Sequence, residues 1–174
     1  MKLRIFAIVM VLVMIFAAGC GTAKNEPEPA EEPVANMVNP FTDYESLEEA
    51  EKAAGFDINL PEAVDDADTT VYRVMKHGSD VFIEVIYAGG DTELLRVRKG
   101  LGTDPIDGDY EEYPVTVSAD YGNAKAVTLR GEENSFHVAT WTQNVGGTDY
   151  TYSITCPTGF DKALAESLVS AVAD

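Results

Sequence analysis

Histidine is scarce in this chain of 174 residues, and the glycine patterns of common catalytic loops are incomplete. His77 and His137 have neither an i, i+4 partner nor the paired cysteines of ordinary zinc sites, which predicts structural or surface histidines. No G-x-S-x-G nucleophile elbow occurs, and the G-x-G at residues 100–102 lacks the third glycine and the following helix of a phosphate loop. The sequence therefore predicts no catalytic residue and no cofactor.

Basic residues are also few, because 12 Lys and Arg stand against 30 Asp and Glu, for a net charge of −18. Nucleic-acid binding depends on Lys and Arg that displace counterions from phosphates, so nucleic acid is not an expected partner. An anionic membrane surface would repel the same domain. The charge favours solubility and leaves cations and basic peptides as conceivable ligands.

Long apolar runs are limited to the segment from Ile5 to Ala18. This run is shorter than the ~20 residues that a membrane-spanning helix needs. Lys2 and Arg4 precede it and small residues up to Gly19 end it, which is the three-part pattern of a secretory signal. We therefore expect residues 1–19 to be a signal peptide.

Cys20 directly follows this signal, in the sequence AAGC. The stretch resembles the lipobox of bacterial lipoproteins, although Ala17 occupies the position where leucine is favoured. The resemblance implies a diacylglycerol on the Cys20 thiol, cleavage before this residue and an acylated amino terminus. Two or three acyl chains would hold the protein firmly on the extracytoplasmic face of the cell membrane. A plain signal, an uncleaved anchor and a disulfide with Cys156 are the alternatives.

Residues 20–40 form an acidic, proline-rich linker with the core NEPEPAEEP. Proline favours extended polyproline II and like charges extend the chain, so this segment predicts a tether without a packed core. Residues 41–174 have the length and apolar content of a single domain.

The first element of that domain is a short amphipathic helix in SLEEAEKAAGF. Ser46 and Glu49 have capping-box spacing, and Gly55 supplies a left-handed end. From Val71 to Cys156 the apolar period becomes two, which predicts antiparallel strands joined by hairpins. The predicted strands cover residues 71–76, 80–87, 93–99, 114–119, 124–130, 135–143 and 148–156.

One hairpin, around residues 89–91, allows a prediction of register. A three-residue loop pairs Val85 with Leu95 and sets Glu84 against Arg96 on the other side. A two-residue loop would place apolar residues opposite charged ones, so the longer loop is expected.

The last strand places Cys156 on the buried face, and Pro157 and Gly159 are expected to end it. Asp161 then caps a final helix whose apolar residues recur every fourth position. These elements predict an α+β fold: an antiparallel, meander-like sheet of about six or seven strands, with a short N-terminal helix and a C-terminal helix packed on one face.

After the linker, the segments VYRV, LLRVRKG, GDYEEYPVTV, AVTLRG, ATWTQN and YTYSI, together with the first helix and Pro61, resemble a group of small Firmicutes lipoproteins. Those proteins carry a domain of unknown function that is similar to extracytoplasmic regions of anti-sigma-factor-like proteins. The resemblance covers most of the chain after the linker and involves core and turn residues. It implies an envelope-facing, non-enzymatic module and carries over no catalytic residue.

Two weak candidate sites are present. The acidic loop GTDPIDGDYEEYP offers oxygen ligands of the kind that calcium prefers, although its spacing departs from the EF-hand and a solvated turn is the alternative. Its candidate ligands are Asp104, Asp107, Asp109, Glu111 and Glu112. The second candidate is a ligand-binding platform of Trp141, His137 and Gln143, expected on one strand face opposite Phe136 and Val138; the alternative is that Trp141 covers the core.

The combined expectation is a lipid-anchored extracytoplasmic lipoprotein that is not an enzyme and binds an envelope protein or a peptide through an exposed sheet face or edge. A wall- or peptide-directed hydrolase is the first alternative, and it requires convergent catalytic groups in a pocket. A component of an envelope-sensing system, relayed by a separate membrane protein, is the second. An exposed apolar patch or a free strand edge would favour the binding module.

Overall fold

Eight strands and two helices form residues 39–174, the part of the chain that the computed structural model describes. The elements are β1 (Phe41–Tyr44), α1 (Leu47–Ala54), β2 (Thr69–His77), β3 (Asp80–Gly89), β4 (Thr92–Leu101), β5 (Val115–Tyr121), β6 (Ala124–Glu132), β7 (Ser135–Val145), β8 (Thr148–Phe160) and α2 (Lys162–Val172). The predicted signal peptide, Cys20 and the linker up to residue 38 lie outside the described residues.

All the strands belong to one antiparallel sheet, in the order β1-β2-β3-β4-β8-β7-β6-β5. This confirms the α+β class with an antiparallel sheet and a C-terminal helix. The sheet has eight strands rather than six or seven, because the four-residue β1 precedes the first helix and shows no alternating pattern. The sheet also departs from a simple meander. After β4 the chain crosses through residues 102–114 to the far edge at β5, and β8 returns to pair with β4.

The β3–β4 hairpin has the shorter loop that the sequence disfavoured. Gly89 pairs with Thr92, and the register shifts beyond Tyr87 so that Leu94 has no partner on β3. This bulge restores the separation of faces that a two-residue loop would otherwise lose. The predicted partners are therefore wrong: Glu84 pairs with Arg98 rather than Arg96.

A second bulge lies at His137 of β7, because Val138 and Phe136 pair with the adjacent residues Arg130 and Gly131 of β6. At the same point the partners on β8 jump from Thr155, opposite Val138, to Phe160, opposite Phe136. Phe136 consequently packs in the same core as Trp141. The expectation that these two side chains lie on opposite faces is therefore wrong. The same pairing shows that β8 continues past Pro157 as far as Phe160.

Both helices begin as the sequence predicts. Ser46 Oγ accepts a hydrogen bond from the Glu49 amide, and Gly55 ends α1 in the left-handed region with φ of 90°. Asp161 accepts from the Leu164 amide at 2.8 Å and so caps α2. These predictions are confirmed. The sequence could supply them because each depends on residues that are close together along the chain.

The core lies between the helices and one face of the sheet. It contains Ala50 of α1, Val169 of α2, and apolar residues of the strands such as Ile83 and Ile154. Within residues 39–174, neither helix is long and apolar enough to cross a membrane. Because every strand, both helices and the described core come from residues 41–173, we expect this segment to fold without the preceding chain.

Candidate functional site

The sheet face opposite the helices is polar and centres on Glu84, which is fully buried. Pairing across β2, β3 and β4 places Arg73 and Arg98 directly beside it. Arg98 donates from Nε to the Glu84 carboxylate at 2.6 Å, Arg73 forms a second ion pair, and Arg96 lies at 3.6 Å. A buried carboxylate requires such partners, because an unpaired charge is costly to remove from water.

Arg98 also holds the acidic loop, residues 102–114, over the polar face of the sheet. Arg98 Nη1 donates to the backbone carbonyls of Ile106 at 2.5 Å and Asp107 at 2.6 Å. Arg130 adds an ion pair to the Asp107 carboxylate at 2.8 Å. The position of the acidic loop therefore depends on arginines of β4 and β6.

The acidic residues of this loop do not converge as calcium ligands. Asp107 accepts from the Asp109 amide at 2.9 Å, and Asp109 accepts from the Tyr113 hydroxyl at 2.9 Å. Asp104, Glu111 and Glu112 are exposed. Residues 39–174 contain no group of three or more His, Cys, Asp or Glu side chains that could hold a metal ion. The structure therefore does not bring the five predicted calcium ligands together, and the carboxylates of Asp107 and Asp109 instead accept hydrogen bonds within the loop.

The three residues of the predicted platform are also separated. Trp141 is 3% exposed and stacks on Tyr152, with ring centroids 4.9 Å apart. Gln143 donates to the backbone carbonyl of Asp174, near the end of α2. His137 instead stacks on Tyr113 at 5.5 Å, and its Nδ1 lies 3.2 Å from the Cys156 carbonyl oxygen. Trp141 thus occupies the core position that was the alternative, and the bulge in β7 separates His137 from it.

Two cavities flank the end of β8. The first, which we term the apolar cavity, has a volume of about 390 Å³. Its apolar lining comes from Val64, Leu94, Leu95, Cys156, Leu164 and Leu168. Asp65 and Asp66 also line it, and both are exposed.

Close contacts fix the wall of the apolar cavity that is formed by residues 63–66. The Asp68 carboxylate accepts from the Gly90 amide at 3.2 Å, and the Asp68 amide donates to the Ala88 carbonyl at 2.9 Å. At Gly89 an added Cβ would lie 2.6 Å from the Asp66 carbonyl oxygen, so this approach requires glycine. The wall is therefore attached to the β3–β4 hairpin rather than free.

The second cavity, which we term the acidic cavity, has a volume of about 400 Å³. The carboxylates that line it belong to Asp109, Glu111, Glu112 and Glu132. Tyr113 and His137 form a stacked aromatic wall. Burial, supported by the hydrogen bond to Asp109, raises the pKa of Tyr113 to about 12.

Cys156 lines both cavities, so the end of β8 divides them. Gly159 bends this segment with φ of 80°, and a Cβ there would lie 2.3 Å from Ser135 Oγ. The Cys156 thiol is a free, buried group whose nearest polar neighbours are Thr158 Oγ1 at 3.4 Å and the Gly159 carbonyl at 3.5 Å. His137 contacts the backbone of Cys156 and not its sulfur, so these two residues do not form a nucleophile–base pair.

Sequence reasoning missed the apolar cavity, because its lining comes from four separate segments of the chain. The sequence offered one signal, because Leu164 belongs to the apolar stripe of α2. The structure then shows that its side chain is 47% exposed at the cavity. Only the packing of the strands and α2 shows where that stripe leaves the core.

The fold and these cavities define a class of protein, an antiparallel α+β domain with helices on one face and an apolar and an acidic cavity divided by one strand end. No protein-family model, curated protein or solved structure matches this chain.

Proposed function

We propose that this protein is a lipid-anchored extracytoplasmic lipoprotein whose domain, residues 41–174, is a non-catalytic binding module for an envelope protein or a peptide. The observation that supports binding is the apolar cavity, whose volume of about 390 Å³ lies within the usual range of ligand sites. Anchoring through Cys20 rests on the sequence AAGC.

An apolar side chain is the natural occupant of this cavity. Burying a Val, Leu, Ile, Phe or Met side chain contributes about 1.5–3 kcal/mol. Leu164, which lines the cavity, is 47% exposed, so its side chain offers apolar surface to an occupant.

Cys156 provides a reporter for occupancy, because it is the one cysteine within residues 39–174. We would measure maleimide labelling of Cys156 and thermal unfolding of this soluble segment with neutral Gly/Ser peptides that carry a single Leu or Phe. Binding should slow the labelling, and a peptide at a hundred times its dissociation constant should add about 2.7 kcal/mol to the free energy of unfolding. Mass spectrometry of the peptides would reveal cleavage, which would support the hydrolase alternative instead.

A matched pair of leucine substitutions tests whether the peptides bind in the apolar cavity. Leu164→Ser removes apolar surface at the cavity, whereas Leu101→Ser changes a leucine of similar exposure, 39%, outside it. Weaker protection of Cys156 with the first variant alone would support the site. Absence of protection by every apolar peptide would reject the proposed binding function.

The anchor is tested independently in cells. Cys20→Ser should abolish metabolic labelling with a fatty acid and release the chain from the membrane fraction. Labelling that persists in this variant would refute lipid attachment at Cys20.

A further inference from the structure

We infer that the partner is a peptide segment that combines an apolar side chain with Lys or Arg side chains, and that it lies across the end of β8 with groups in both cavities. This partner chemistry rests on the binding function proposed above and makes it more specific. The inference depends on the distribution of charge around the two cavities and on their common wall.

Carboxylates are the charged groups that line both cavities, and no Lys or Arg lines either of them. The exposed acidic residues at the cavities are Asp65, Asp66, Glu111, Glu112 and Glu132. None of them forms an ion pair within residues 39–174. Their charge is therefore available to a cationic partner.

The arginines of the described segment are paired with carboxylates that do not line either cavity. Arg73 and Arg98 bind Glu84, Arg96 binds Glu93, and Arg130, which lies 5.8 Å from the centre of the Tyr113 ring, binds Asp107. The negative charge at the cavities is consequently a local excess and not only a share of the net charge of −18. Complementary charge next to an apolar anchor is a common basis of specificity in protein–peptide recognition.

The acidic cavity is held in place before any ligand arrives. Tyr113 is fixed by the hydrogen bond to Asp109 and by stacking on His137, and the loop is attached through Arg98. A rigid site loses less conformational entropy on binding. Cys156 contributes to the walls of both cavities, so the cavities lie on either side of this strand end and the inferred segment would have to cross it.

The test uses labelled Gly/Ser peptides of one length that contain one Leu and two Arg, with the Leu–Arg spacing varied from one to four residues. Companion peptides replace Arg by Gln, or Leu by Ser. Fluorescence polarisation with residues 39–174 measures each dissociation constant. At the best spacing, we expect the Leu–Arg peptide to bind at least about tenfold more tightly than the Leu–Gln and Ser–Arg peptides.

A matched pair of charge reversals separates local from long-range attraction. Glu111→Lys with Glu112→Lys changes two exposed acids at the acidic cavity, and Glu45→Lys with Glu48→Lys makes the same change of net charge near α1. The first double variant should lose the preference for Arg over Gln, and the second should keep it. Because all four side chains are exposed, thermal unfolding should show both variants folded; Glu132→Gln offers a milder change at the acidic cavity.

Each result decides the inference. Equal affinity for the Leu–Arg and Leu–Gln peptides would overturn it while leaving the apolar binding function intact. Equal loss of affinity in both double variants would also overturn it, because the attraction would then come from the whole charge of the protein. Tight binding of the Ser–Arg peptide would show that the apolar cavity is not used. Failure of every apolar peptide to protect Cys156 would instead reject the binding function itself.

Discussion

The two faces of the sheet are buried by different interactions, although the same strands supply both. On β3, Ile83 and Val85 pack toward the helices in the apolar core, while Glu84 between them is buried on the opposite face. On β8, Ile154 lies in the core and Ser153 is buried on the polar face. The first face is covered by helices and the second by the acidic loop, which Arg98 and Arg130 hold.

This difference separates stability from positioning. Apolar burial is non-directional and stabilises any close-packed arrangement. Buried charges need partners at specific distances, since the free energy of removing them from water exceeds the attraction within a loosely arranged pair. The helix-covered face therefore accounts for the fold, whereas the ion pairs of the polar face determine where the acidic loop, and with it the acidic cavity, lies.

The helix-covered face has one comparable buried charge, Lys99, which is 4% exposed. Its ammonium pairs with the Asp174 carboxylate and lies 4.7 Å from the centre of the Tyr150 ring. Asp174 also accepts from the Tyr152 hydroxyl at 2.6 Å. This cluster connects the chain after α2 to the sheet, so it joins two elements in the way that Glu84 and Arg98 join the sheet to a loop.

Glu84→Gln should break the polar face most severely. The substitution keeps the shape but leaves Arg73 and Arg98 without their shared carboxylate, and removing one partner of a buried ion pair costs about 3–5 kcal/mol. Urea unfolding would measure the loss. The acidic loop should also become more accessible to protease, because Arg98 is no longer oriented toward the Ile106 carbonyl.

Glu93→Gln provides the matched control. Glu93 also pairs with an arginine, Arg96, but its side chain is 24% exposed. Partly solvated pairs contribute little, so we expect a loss below about 1 kcal/mol. Equal effects of the two substitutions would contradict the view that burial makes the Glu84 pairs structurally important.

Asp174→Ala tests the buried charge on the other face. Lys99 and the Tyr152 hydroxyl would both lose their partner, which we expect to cost about 1–3 kcal/mol in the free energy of unfolding, less than Glu84→Gln because the Asp174 side chain is 20% exposed. Asp174→Asn keeps the size and should recover part of the hydrogen bonding. An unchanged urea midpoint in both variants would show that the cluster does not hold this end of the chain to the sheet.

The elements with local signals could be predicted from the sequence. Seven strands follow from period-two patterning, and both helix starts follow from Ser46 and Asp161, because these signals involve near neighbours. The register of β3 against β4 could not be predicted, since the bulge at Leu94 changes the partner of each residue between the bulge and the far end of the hairpin but leaves the residues on the same sheet faces. The order of the strands could not be predicted either, because the pairing of β4 with β8 joins residues that are about 50 to 60 positions apart.

The candidate sites show the same limit. Trp141, His137 and Gln143 alternate correctly for one strand face, but a single bulge places His137 beside Tyr113 and Trp141 in the core. The acidic loop was visible in composition, whereas its attachment through Arg98 depends on long-range packing. Composition therefore indicated a region of interest, and tertiary contacts determined how its residues are arranged.

The pH dependence of the free energy of unfolding at alkaline pH provides a further comparison of the two sheet faces, with a smaller expected effect than the substitutions above. Burial, followed by the neighbouring Tyr72, raises the pKa of Tyr87 on the helix-covered face to about 12. An unfolded tyrosine ionises near pH 10, so between pH 10 and 12 the unfolded chain binds fewer protons and stability falls as the pH rises. Tyr87→Phe should reduce this slope by less than about 1.4 kcal/mol per pH unit, with little change at pH 7.

Urea unfolding at several pH values would measure the slope. Tyr110→Phe is the control, because the Tyr110 side chain is 96% exposed. An unchanged slope in Tyr87→Phe would show that Tyr87 does not cause the alkaline sensitivity and would assign it to other tyrosines whose pKa is raised, such as Tyr113 of the acidic loop or Tyr152 of the core.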